Sequence, residues 1–126
     1  MNIRFVTKTI HAYIDYPVAL SLVATPFLLG LGRGNPVALG LSVITGVAAF
    51  ILTLLTDHKT GLFRVLPYWL HLGVDRLVGV VFLVAPFALG FQGVEAWYYW
   101  ANGIAVLVVT FLLNAPERER GTLAAA

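Results

Sequence analysis

Four long apolar stretches run along the chain, over residues 10–31, 36–55, 70–91 and 96–113. Each approaches the roughly 20 residues that a helix needs to cross about 30 Å of hydrocarbon. None alternates apolar and polar positions as a barrel strand does, and a backbone in lipid must satisfy its own hydrogen bonds, so all four are predicted to be helices. The breaks at 32–36, 57–61 and 92–95 carry glycine, proline or charge and read as turns. The first and last breaks are short, which makes two helix hairpins. Residues 1–9 and 60–69 are predicted as short lead-in helices along the membrane interface, with Phe5, Phe63 and Leu66 dipping into lipid. Residues 117–126 form a polar tail. Arg4 and Lys8 ahead of an apolar run resemble a signal peptide, but Asp15 and Pro17 interrupt the run, so it reads as a span.

Composition agrees with lipid as the solvent. The chain is 60% hydrophobic and 11% charged, against about 45–50% and about 25% in soluble domains. Cysteine is absent, which excludes disulfides and thiolate metal sites. The formal charge of +2 rests on basic residues too few and too scattered for a phosphate-binding stripe, so nucleic acid is not a partner. They sort by loop instead: Arg4, Lys8, Lys59, Arg64, Arg118 and Arg120 flank one side, and Arg33 alone the other. The positive-inside rule then puts both termini in the cytoplasm. Trp97, Tyr98, Tyr99 and Trp100 suit the outer interface, and Tyr68 and Trp69 the inner one.

Sliding the chain against itself by 60 residues brings out an internal repeat. His11 and Asp15 fall on His71 and Asp75, Thr25-Pro26-Phe27 on Ala85-Pro86-Phe87, Gly30 on Gly90, and Arg4 on Arg64. Histidine, aspartate, proline and glycine are rare in apolar spans, so shared composition does not explain the matches. A unit with an even number of crossings repeats in the same orientation, giving parallel repeats over 1–58 and 59–116. Pro26 and Pro86 each remove a helical hydrogen bond, free the carbonyl of Leu22 or Phe82, and lead into the Gly30 and Gly90 turns; a kink follows, and Thr25 is placed to return a donor in the first copy. The Ser42/Gly46 and Ala101/Ala105 spacings, with Asn102 and Gly103, read as helix-packing faces that also suit a homo-oligomer or a membrane-complex partner.

Two helix hairpins, each with a small residue, proline and an aromatic near the outer end of its first helix, resemble the SPW-repeat family of small bacterial membrane proteins. Thr25-Pro26-Phe27 and Ala85-Pro86-Phe87 stand where that family has Ser-Pro-Trp. The resemblance covers roughly residues 11–113 and implies a four-helix protein of the bacterial inner membrane. It carries no catalytic residues with it.

Ionisable side chains inside spans are costly and face the bundle interior or water. Here they are His11, Asp15, His71, Asp75 and Arg76. His11 and Asp15 share a helix face at a separation of four, as do His71 and Asp75. Asp57 and His58, at the end of the second stretch, belong to the same cytoplasmic layer. Three readings compete. The histidines could ligate haem, or with Asp15, Asp75 and His58 a divalent metal such as Zn, Fe, Mn or Ni. The pairs could relay protons. The layer could bind an anionic lipid head group with Arg4, Lys8, Arg64 and Arg76. A structural alternative makes Asp15 and Asp75 helix N-caps, with Pro17 in a first turn and Arg76 snorkelling or neutralising Asp75. No motif points to an enzyme of a recognised class: the Gly30-Gly32-Gly34 run is a turn between spans, and no serine has a triad around it. The expectation is an all-α membrane protein with a binding, accessory or structural role; proton or ion translocation is weaker, because the middle and outer halves offer few polar groups.

Overall fold

A computed structural model describes residues 3–116. It is all-helical: α1 (Lys8–Leu29), α2 (Pro36–Leu55), α3 (Tyr68–Leu89) and α4 (Gly93–Leu107), the last running on into a π-helical turn, Val108–Leu112. Helices α1, α2 and α3, of 22, 20 and 22 residues, are long and apolar enough to cross a membrane. Large apolar side chains such as Leu20, Leu28, Ile44, Phe87 and Trp97 cover the outside, a surface that lipid tolerates and water does not.

The caps explain the boundaries. Thr7 accepts the Ile10 amide at the start of α1, and Asn35 accepts the Val37 amide with Pro36 in the first turn of α2. Pro67 precedes α3, which therefore begins at Tyr68. At the far ends Gly30 and Gly90 take left-handed conformations, with φ of 68° and 70°. There Leu31 and Phe91 amides return to the Pro26 and Pro86 carbonyls.

Two expectations change. The lead-in helices do not form among the described residues. Val6 pairs with Asn114, and Thr56 with Leu66, as isolated bridges, so these segments give their backbone groups to neighbouring chain ends and not to a helix of their own. Asp15 and Asp75 are not caps: they lie in helix interiors, beyond Thr7 and Pro67, and Pro17 is likewise interior. Met1, Asn2 and 117–126, with Arg118, Arg120 and the polar tail, lie outside the described residues.

Within each hairpin the helices touch through glycine. A Cβ at Gly46 would meet the Ala19 carbonyl of α1 at 2.9 Å, and one at Gly103 would meet the Gly79 carbonyl of α3 at 2.9 Å. Small residues let backbones approach this closely in lipid. Ser42 is buried as expected, but Ala101 and Ala105 are exposed and take no part.

Between hairpins, contact concentrates at the two ends. At the end that carries the Gly30 and Gly90 turns, Leu22, Ala38, Phe82, Tyr98 and Tyr99 belong to the apolar core. Pro26 supplies no amide to the Leu22 carbonyl, and the donor that fills the gap is Ser42 Oγ of α2, at 2.8 Å, in place of Thr25. Ser42 Oγ in turn accepts Tyr98 Oη at 2.6 Å, while Tyr99 Oη donates to the Ala38 carbonyl. Buried Glu95 accepts the Gly32 and Asn35 amides at 2.7 and 3.0 Å, pinning the α1–α2 turn to α4. At the opposite end stand the histidines.

Candidate functional site

Helices α1 and α3 each carry a histidine and an aspartate one turn apart on the face turned to the other hairpin. His11 Nε2 lies 3.0 Å from Asp15 Oδ1 and 2.9 Å from Asp75 Oδ2. His71 Nε2 lies 3.2 Å from Asp75 Oδ2 and 3.4 Å from Asp15 Oδ2. One ligand atom from each of His11, Asp15, His71 and Asp75 falls within 4.8 Å of all the others. His11 and His71 are each 2% exposed and Asp15 8%.

The third histidine enters from the 56–67 segment. Leu62 and Phe63 amides cap the Leu54 carbonyl, and the Thr56–Leu66 bridge turns the chain inward. A side chain at Gly61 would run into the Thr56 carbonyl. Tyr16 Oη donates to the Thr60 carbonyl and Thr60 Oγ1 to the Ala12 carbonyl, fastening the segment to α1. Buried His58 thereby puts its Nε2 3.0 Å from Asp15 Oδ2. Burial holds the His58 imidazole below its ordinary pKa, against the pull of Asp15. Its Nδ1 has no hydrogen-bond partner, which fits a neutral ring donating Nε2–H to the carboxylate. His58 thus holds Asp15 from behind, and the other four residues supply the converging atoms.

Hydrogen bonding also fixes the tautomer of His71. Thr56 Oγ1 is 2.6 Å from the Leu52 carbonyl and 2.7 Å from His71 Nδ1. The carbonyl can only accept, so the single hydroxyl proton goes there and His71 Nδ1–H donates to Thr56. Its Nε2 is left facing two carboxylate oxygens, where a neutral ring would set lone pair against lone pair. Either a proton or a metal ion must sit at that nitrogen.

The donor set suits a metal. Two imidazoles and two carboxylates accommodate borderline divalent ions. Tetrahedral coordination with bonds of about 2.0–2.2 Å has edges of about 3.3–3.6 Å; the N···O separations of 2.9–3.4 Å found here are mostly shorter, so the ligands would part slightly around an ion. A bis-histidine haem fits poorly, because Asp75 Oδ2 occupies the space between the two Nε2 atoms.

The other residues of the expected layer go elsewhere. Asp57 is exposed. Arg4 donates to the Phe111 and Asn114 carbonyls, Arg64 to those of Gly61 and Lys59, and Arg76 to that of Thr110 while covering the Phe111 ring. Lys8 lies over the Tyr68 ring. These arginine contacts go to backbone carbonyls and the Phe111 ring. Thr56, Thr60 and Glu95 were not anticipated. A threonine at a helix end reads as an ordinary cap, and only the folded 56–67 segment brings Thr56 to His71. No known protein family, curated protein or solved structure matches the chain.

Proposed function

We propose that this protein binds one divalent transition-metal ion in the membrane, through His11, Asp15, His71 and Asp75, with His58 and Thr56 orienting the ligands. The observation that carries the reading is the convergence of two buried His/Asp pairs from separate helices. Ordering four ionisable groups away from water is expensive unless something compensates their charge. A bound cation would neutralise both carboxylates and use the Nε2 lone pair that Thr56 leaves available.

The protein around this centre is a four-span inner-membrane protein of two same-orientation hairpin repeats. The π turn supports the fourth span by lengthening α4 from 15 residues by 5 more. The matched Gly30 and Gly90 caps and the matched His/Asp pairs support the duplication, and with the proline motifs they support kinship with the SPW-repeat proteins. The Val6–Asn114 bridge keeps both ends of the described chain together, in keeping with cytoplasmic termini and a centre facing the cytoplasm. The proton-relay reading has less to stand on: beside the cluster, Ser21, Thr45 and Thr110 turn their hydroxyl protons to carbonyls of their own helices and away from it.

The test is metal analysis of protein purified without chelator, then reloaded with Zn, Mn, Fe or Ni. One ion per chain is expected, lost in His11→Ala and His71→Ala. A metal-free protein that takes up none of the four ions overturns the reading.

A further inference from the structure

A cavity of about 500 Å³ lies directly beside the His/Asp cluster, lined by all four helices. Ligand pockets for small molecules typically measure about 300–1,000 Å³. This one runs from His11 towards Ser21 along α1, about 15 Å at a rise of about 1.5 Å per residue. Its walls are Ile14, Val18, Ile44, Ala48, Val78 and Val106, among others. Its polar wall groups are mostly engaged: Ser21, Thr45, Thr53 and Thr110 donate to carbonyls of their own helices, and Asn102 donates one amide N–H to the Tyr98 carbonyl. Ile44 is 69% exposed, and Ala48 and Ala105 are exposed too. The cavity therefore opens sideways between α2 and α4, on the flank where the spans meet lipid.

We infer that this cavity binds a lipid-soluble molecule with a compact, uncharged, oxygen-bearing head, of the quinone and quinol class, its head at the His/Asp cluster and its apolar body along α1. Each end of the cavity excludes an alternative. The carboxylates at the polar end are already matched by the imidazoles or by a metal ion, so a fatty acid or phosphate head finds no unpaired positive charge there. Walls that are mostly aliphatic, with Asn102 their one amide, are a poor host for an ion. A neutral hydroxyl or carbonyl head meets none of these obstacles. Asp75, the more accessible of the two acids with 21% of its side chain exposed, accepts a hydroxyl proton, and a head oxygen faces the imidazole edge or the metal ion. The proposal deepens the metal reading, but binding of the apolar body depends on the cavity alone.

The experiment is equilibrium dialysis of decyl-benzoquinone and its quinol against the purified protein, metal-loaded and metal-stripped, with oleic acid in parallel. About one quinone or quinol per chain is expected. Ala48→Phe and Ala105→Phe, which narrow the cavity away from the cluster, are expected to weaken it at least tenfold without changing metal content or helical circular dichroism. Ile44→Trp at the rim is a second variant should either phenylalanine disturb folding. Binding untouched by all three substitutions, or oleic acid bound as well as quinone, overturns the proposal. Quinone bound by a protein that takes up no metal on reloading would sink only the metal reading; metal bound without quinone would sink only this one.

Discussion

Thr56 has one hydroxyl proton and two neighbours within reach, the Leu52 carbonyl and His71 Nδ1. That choice sets which nitrogen of His71 is free to bind. Partners behind a metal-ligating histidine typically matter by about 10–100-fold in affinity. Thr56→Val should therefore weaken metal binding by about that range while leaving the helical content intact, and Thr56→Ser should restore it. Equal affinity in all three proteins, measured by competition with a chromogenic chelator, would remove Thr56 from the site. The His/Asp pairs themselves were legible in the sequence because a separation of four puts two side chains on one helix face and the pair recurs 60 residues on. The partner of each was not. Asp15, a residue type that caps helices, stood just ahead of Pro17, yet Thr7 caps the helix and Asp15 is drawn inward by His11 and His58.

The helices show where local pattern reaches and where it stops. The bounds of α2 were fully legible, since Asn35 and Pro36 start it and Thr56 ends it. The 56–67 segment was not, because its course depends on pairing with the end of α2 and on fastening to α1 through Thr60. Within the hairpins, glycine sets the spacing. Gly103 faces the Gly79 backbone, which has no flexible side chain to move aside. Gly103→Val should cost about 1–3 kcal/mol, as overpacking usually does, and lower the denaturation midpoint in detergent. Gly40, with nothing within 4 Å of an added Cβ, should accept Gly40→Val with little change. Equal effects at the two positions would contradict close α3–α4 contact through Gly103. The Ala101/Ala105 spacing looked equivalent from sequence, but spacing alone does not say which face a helix turns to its neighbour.

At the scale of the molecule, the two hairpins are clamped at one end by tyrosine and serine hydrogen bonds and at the other by the His/Asp cluster, with the cavity between. Orientation in the membrane is open to direct test because the chain has no cysteine of its own. With Arg33→Cys and Lys59→Cys made separately, a membrane-impermeant maleimide should label position 33 on intact cells and position 59 only after permeabilisation. The reverse pattern would invert the topology and turn the cluster outward. The most direct measurement of the central claim is X-ray absorption at the edge of the metal bound to the reloaded protein. A first shell of nitrogen and oxygen at about 2.0–2.2 Å, with the multiple-scattering signature of two imidazoles that falls to one in His71→Ala, is the predicted result. A shell of water oxygens alone, or an imidazole count that His71→Ala leaves unchanged, would contradict it.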